Sequence, residues 1–262
     1  MALSQKHIQE AADALDAASR SCQATEKLTL RYPGIDVDDA YAIQMLNVRR
    51  ALDRGGVISG KKIGLTSKAM QDMFGVTTPD FGHLFADMEV SEGRIERSSM
   101  VQPKVEAEIA FVLARDLDMV REITAADVLA ATDYVVAALE IVDSRIGNWK
   151  IGYCDTVSDN ASSGRYVLGS IRKKVSEIDL KAETMDFFVN GEKRNSGKGT
   201  DVLGDPAYCV AWLANSMRKY GTLLKKGEVI LSGALSAAIS ASAGDTFRAD
   251  YSSLGHVSVA FY

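Results

Sequence analysis

Two glutamates one residue apart, Glu106 and Glu108, stand inside Gln102-Pro-Lys-Val-Glu-Ala-Glu-Ile-Ala-Phe-Val-Leu113. Alternate residues of a strand share a face. Val105, Ala107, Ile109, Phe111 and Leu113 therefore make an apolar face, and Glu106, Glu108, Ala110 and Val112 make the other. Glutamates on a solvated outer face are ordinary, but Ala110 and Val112 continue the same face. The pair marks the place where one side of a sheet passes from apolar to polar. A third carboxylate, Glu140, lies inside Tyr134-Val-Val-Ala-Ala-Leu-Glu-Ile-Val-Asp143, a run suited to a strand buried on both faces. A lone carboxylate there must be protonated, paired or metal-bound. Pairing with Arg145 or another base explains Glu140 as well as metal ligation does. Three carboxylates on two strands suit a hard divalent cation such as Mg2+ or Mn2+, with waters or substrate completing its shell.

Lys62 belongs to Gly60-Lys-Lys-Ile-Gly-Leu-Thr-Ser-Lys-Ala69. Alternation puts it on the face opposite Ile63. Most lysines are solvated, but this one leads straight into a Gly-Leu-Thr-Ser turn whose backbone amides could bind an anion. The spacing is not that of a phosphate-binding P-loop. Asp80, in Thr78-Pro-Asp-Phe-Gly82, reads as a turn or capping residue. Ser162 and Ser163 follow Asp159-Asn160 in a polar turn suited to loop chemistry or a ligand contact. His7, His83 and His256 are scattered without metal-ligand spacing, and none is read as catalytic. There is no Gly-x-Ser-x-Gly elbow.

The elements that must position these residues read as a helical segment followed by strands. Ile8, Ala11, Ala12 and Leu15 recur at helical spacing behind a cap at Ser4. A second helix runs from about Val37 to Arg54, opening on Asp36, Asp38 and Asp39 and stopped by Gly55-Gly56. From Val57 the pattern turns to strands over residues 57–65, 105–114 and 134–142, with a Thr124-capped helix before the third. Asn190-Gly191 signals a hairpin within 185–194. Asp205-Pro206 opens a helix that Gly221 ends, and strands with turns at Gly227, Gly244 and Gly255 close the chain. The expected fold class is α+β, with a helical segment over 1–56 and a β-dominated catalytic body over 57–262.

Composition bounds the rest. With 262 residues, 47% hydrophobic and 25% charged, the chain has the balance of a soluble globular protein with a real core. A net charge of −5 argues against a duplex nucleic acid partner. No apolar run approaches a membrane span, and residues 1–10 lack the apolar core of a secretory signal. Cys22, Cys154 and Cys209 are far apart and odd in number, which suggests a reducing, cytoplasmic setting.

Several segments together resemble the hydratase/decarboxylase branch of the fumarylacetoacetate hydrolase superfamily. They are Gly60-Lys-Lys-Ile-Gly-Leu-Thr-Ser-Lys-Ala-Met70, Thr78-Pro-Asp-Phe-Gly82, Gln102-Pro-Lys-Val-Glu-Ala-Glu108 and Leu139-Glu-Ile-Val-Asp-Ser-Arg145. Asp155-Thr-Val-Ser-Asp-Asn-Ala-Ser162, Val210-Ala-Trp-Leu-Ala-Asn215 and Gly227-Glu-Val-Ile-Leu-Ser-Gly233 extend the resemblance over nearly the whole chain. It implies that the body has the superfamily's C-terminal-domain fold. It implies that Glu106, Glu108 and Glu140 ligate Mg2+ or Mn2+, and that Lys62 is the active-site lysine. The branch's hydratases carry an acidic residue where Asp80 stands; its decarboxylases carry an apolar one. The short segment Asn148–Cys154 matches the short-substrate members.

The implied activity is metal-dependent hydration of 2-hydroxypenta-2,4-dienoate (2-oxopent-4-enoate) to 4-hydroxy-2-oxopentanoate, in meta-cleavage breakdown of aromatic compounds. Lys62 and Asp80 would be acid/base partners, with the two roles unassigned. Backbone amides near Leu65 and Thr66, with Ser162, would hold the substrate carboxylate. A 4-oxalocrotonate (2-oxo-3-hexenedioate) decarboxylase on the same scaffold is the alternative, and a catalytically silent assembly partner is the second. The resemblance also implies a ring-like homo-oligomer, a pentamer or decamer, and association with a pathway decarboxylase.

Overall fold

The computed structural model describes residues 2–262, apart from the side chains of Ala69, Met73 and Phe74. Three helices come first: α1 (Gln5–Ser21), α2 (Leu28–Arg31) and α3 (Val37–Asp53). Ser4 caps α1 by accepting from the His7 N–H. A capping box between Asp36 and Asp39 opens α3. Both satisfy amide donors that have no helical partner. The stripe Ile8, Ala11, Ala12 and Leu15 of α1 packs with Leu28, Tyr32 and Ile43 as a small core of its own. Ala40 and Tyr41 of α3 join the main core instead. Gln44, buried on α3, donates to the carbonyls of Phe81 and Val157 and so ties the helical segment to the body.

The body begins with β1 (Ile58–Gly64), α4 (Lys68–Phe74), β2 (Asp80–Phe85), β3 (Arg94–Ile95) and β4 (Pro103–Leu113). It continues through α5 (Ala125–Ala131), β5 (Thr132–Asp143), α6 (Tyr153–Ser158) and β6 (Ser163–Lys173). Then come β7 (Thr184–Val189), β8 (Glu192–Lys198), α7 (Pro206–Arg218), β9 (Val229–Ala234), β10 (Ile239–Ser240), β11 (Thr246–Tyr251) and β12 (Gly255–Phe261). One sheet runs β2-β1-β9-β4-β5-β6 with β10 added on β4, and the other runs β3-β12-β11-β7-β8. The main core gathers Val105, Ile109 and Phe111 of β4, Leu139 of β5, Phe187 of β7 and Phe247 of β11. Ala110, Val112, Val136, Ala138 and Leu231 form a smaller cluster on the first sheet's other face. The alternation read in residues 105–113 is therefore the one the fold uses, and the fold is α+β.

Local signals hold where the backbone demands special residues. Asn190 and Gly191 both take positive φ, 53° and 81°, in the hairpin joining β7 to β8. Gly60 admits a neighbouring backbone: a Cβ there would overlap the Val229 carbonyl oxygen on β9. Two readings need correction. The segment read as a turn at Thr78–Gly82 runs into β2, so Asp80 is a strand residue and buried, because β2 pairs with β1 along its length. Ser163, read in a polar turn, starts β6, a strand rich in Gly, Arg and Lys that carries little apolar alternation.

Arg145 does not pair with Glu140. Its Nε donates to Asp159 Oδ1 at 2.6 Å and its backbone N–H to Asp159 Oδ2 at 2.8 Å. Its guanidinium also donates to the carbonyls of Asp143, Asp159 and Ser163. Both partners are buried. Burial pushes the Asp159 carboxyl up to about 6, against the pull of Arg145. Arg145→Met leaves that carboxylate without its cation. The expected loss is about 3–5 kcal/mol in urea unfolding. A carboxyl with a raised folded-state pKa loses stability as pH rises, so the deficit grows from mildly acidic to alkaline pH. A loss below about 1 kcal/mol at both would refute the buried pair.

Candidate active site

In the antiparallel pairing of β4 with β5, Glu106 lies directly opposite Glu140, and Glu108 opposite Ala138. The three glutamates each offer an oxygen, and these oxygens all lie within 4.8 Å of one another. Glu108 and Glu140 are 0% exposed, and Glu106 is half-buried. Like charges directly opposite on a sheet repel, and burial strengthens the repulsion. The protein compensates only in part. The Gly233 N–H donates to Glu108 Oε2 at 2.7 Å, and Lys62 Nζ stands 3.2 Å from Glu140 Oε1 as an ion pair. Glu108 Oε1 and both Glu140 oxygens lack an aligned hydrogen-bond partner. Free anionic oxygens converging from two strands are the donor set of a hard divalent cation. The residues fit such a cation.

The titration of the cluster follows from the same crowding. Burial first, then the Glu140 charge, pushes Glu106 up to about 7. Burial and both neighbouring glutamates push Glu108 well up. Burial raises Glu140 too, against Lys62. All three shifts favour the protonated carboxyl over the carboxylate.

Lys62, on β1, is buried with only 3% exposure. Burial works to lower its pKa, but Glu140, Asp80, Glu106 and Glu108 together raise it, so it stays an ammonium. It donates to the Ala161 carbonyl at 2.9 Å. Its neighbour Lys61 points to the opposite face, where it pairs with Glu228. Asp80 sits at the start of β2 across from Gly64. The Thr156 hydroxyl donates to Asp80 Oδ2 at 3.1 Å, while Oδ1 has no partner. Burial raises the Asp80 pKa, against Lys62. Asp80 and Lys62 meet over the bare face of Gly64: a Cβ there would overlap Asp80 Oδ1 and lie 3.4 Å from Lys62 Nζ.

Of the residues expected to bind substrate, Leu65 turns the chain out of β1 with φ of 57°. The Thr66 side chain is buried against Gly233, next to the amide that serves Glu108. Ser162 is buried with an unpartnered hydroxyl, one residue beyond the Ala161 carbonyl that Lys62 uses. His83 is buried on β2 opposite Lys61, and burial, then Lys61, pushes it down to about 3, so it is neutral. Thr156, Gly64, Gly233 and Asn160 were not singled out as site residues. Their only signal was membership of the segments that carry the resemblance. The lining of a groove of about 440 Å3 includes Arg145, Asp159, Asn160 and Ser163 and none of the three glutamates.

The Fumarylacetoacetate (FAA) hydrolase C-terminal family matches residues 69–261. The chain belongs to that family. It is 46% identical over 254 residues to 2-keto-4-pentenoate hydratase of Paraburkholderia xenovorans (strain LB400), covering 97% of this chain and 94% of that protein. It is 44% identical over 247 residues to 2-hydroxyhexa-2,4-dienoate hydratase of Comamonas testosteroni, covering 93% of each. Among solved structures it is similar to 4-oxalocrotonate decarboxylase from Pseudomonas putida G7, complexed with magnesium and adipate. That match has a TM-score of 0.95, 35% identity and 99% coverage of both chains. No helix among the described residues is long and apolar enough to cross a membrane.

Because Glu106 titrates up to about 7, protons compete with a cation below that pH. Millimolar Mg2+ is expected to raise Tm in differential scanning fluorimetry, more at about pH 8 than at about pH 6. The increment vanishes in Glu108→Gln. An equal increment at both pH values, or one retained in the variant, would contradict the assignment.

Proposed function

We propose that this chain is a metal-dependent hydratase that converts 2-hydroxypenta-2,4-dienoate, the enol of 2-oxopent-4-enoate, to 4-hydroxy-2-oxopentanoate. The observation that carries the reading is Asp80: a buried carboxyl with one free oxygen, set against Lys62 beside the three glutamates. Adding water needs a group that takes and returns protons close to the cation, and Asp80 is such a group. The two hydratases above, 46% and 44% identical, support the same reading.

Glu106, Glu108 and Glu140 would hold the cation, Mg2+ or Mn2+. When bound, it supplies Lewis acidity toward the substrate's carboxylate and 2-oxygen. The enol loses its O–H proton and C5 gains one, which gives the conjugated 2-oxo-3-enoate. Water then adds its oxygen to C4, and C3 gains a proton. Asp80 Oδ1, free of partners, carries these protons and places the water; the Thr156 hydroxyl fixes its other oxygen. Lys62 remains charged and opposes the negative charge that water addition delivers to the 2-oxygen. Amides at Leu65 and Thr66, with the Ser162 hydroxyl, hold the carboxylate. Residues 57–262 carry this chemistry, and 1–56 form the helical segment packed on them. A ring-like homo-oligomer that meets a pathway decarboxylase in the cytoplasm belongs to the same proposal.

Decarboxylation on this scaffold is the second reading, favoured by the TM-score of 0.95 with the decarboxylase. The test is the ultraviolet absorbance of freshly made 2-hydroxypenta-2,4-dienoate, with product identification, with and without Mn2+ or Mg2+. Metal-dependent loss of the dienol with 4-hydroxy-2-oxopentanoate formed is expected. CO2 release from 2-oxo-3-hexenedioate without dienol turnover would replace hydration by decarboxylation. Asp80→Asn should lower kcat by about 10²–10⁴-fold while keeping the Mg2+-induced rise in Tm. A variant within about twofold of wild type would remove Asp80 from proton transfer.

A further inference from the structure

Asn160, Ala161 and Ser162 take φ values of 55°, 50° and 55°, three left-handed residues in a row with no glycine among them. Such a backbone is strained and persists only when its surroundings over-determine it. Ala161 and Ser162 are buried, and hydrogen bonds fix the turn against its neighbours. Asn160 Oδ1 accepts from the His83 N–H at 2.8 Å, and Asn160 Nδ2 donates to the His83 carbonyl at 2.8 Å. One side chain thus grips both backbone groups of a β2 residue. The Ser163 hydroxyl donates to the Asn160 carbonyl at 2.8 Å. Gly82 lets the turn lie on β2, since a Cβ there would overlap the Asn160 carbonyl oxygen.

This turn presents the Ala161 carbonyl to Lys62 Nζ at 2.9 Å. That carbonyl is the neutral acceptor that holds the ammonium beside the carboxylate of Glu140. We propose that Asn160 is a positioning residue: it pins the left-handed turn to β2 so that the Ala161 carbonyl fixes the orientation of the Lys62 ammonium in the reaction. This rests on the reading of Lys62 as part of the reacting centre.

Asn160→Gly separates the grip from the strain, because glycine adopts positive φ at no cost but cannot bond His83. In the Mg2+-loaded variant, kcat is expected to fall about 10–100-fold, with KM within about fivefold. Acetylation of Lys62 by acetic anhydride, mapped by mass spectrometry, is expected to rise at least about threefold over wild type: a released turn uncovers a side chain that is 3% exposed, and its free-amine form attacks the anhydride carbonyl, with acetate leaving and the amine proton passing to solvent. If Asn160→Gly does not fold, Asn160→Asp, which keeps the acceptor for the His83 N–H and turns the donor into an anionic oxygen facing the His83 carbonyl, gives the same two readouts. Wild-type kcat, or lowered kcat with unchanged Lys62 acylation, overturns the proposal. Failure of the wild-type enzyme to turn over the dienol overturns the hydratase reading instead, and the acylation comparison still decides the role of Asn160.

Discussion

Three carboxylates crowded on one buried sheet face are the constraint on which the rest of the structure depends. Glu106 and Glu140 meet across a strand pair where like charges repel, and Glu108 joins them with one oxygen unpartnered. A fold can bear such a cluster only by protonating it or by placing positive charge against it. Lys62 supplies one positive charge, and the three glutamates together fit a divalent cation that would supply the rest. Burial, the feature that makes the cluster costly, also makes its field strong where a substrate oxygen would meet the cation.

The architecture follows from housing that cluster. β4 and β5 are long and paired in a register that sets Glu106 against Glu140. β9 lies between β4 and β1, so Lys62 reaches the same face from the far side. β2 then brings Asp80 alongside, and the bare backbone of Gly64 leaves room for it. The turn after α6 closes the site from the third side. It is locked by Asn160 on β2 and by Arg145 on Asp159. Hydrogen bonds and ion pairs hold this part, whereas apolar packing holds the sheet's other face.

The strand face with Glu106 and Glu108 was legible because period-2 alternation survives into the fold, as was Glu140 from its setting in an apolar run. The helix caps at Ser4 and Thr124, the acidic start of α3 at Asp36 and the hairpin at Asn190-Gly191 were legible because their chemistry is local. The burial of Asp80 was not, since Thr78-Pro-Asp carries turn chemistry and only the pairing of β2 with β1 overrides it. Glu140 was left open between an ion pair, with Arg145 or another base, and metal ligation. Lys62 takes the base's place from 78 residues away in sequence, a contact no local pattern encodes. The left-handed turn at Asn160–Ser162 was hidden for the same reason: without glycine, nothing local asks for positive φ.

The central claim is that Glu106, Glu108 and Glu140 share one divalent cation. Anomalous diffraction from crystals equilibrated with Mn2+ tests it most directly. One peak is expected, within about 2.0–2.4 Å of a carboxylate oxygen from each of the three glutamates, with Lys62 Nζ outside that shell. No peak there, or an ammonium in the place the cation should take, would contradict the claim.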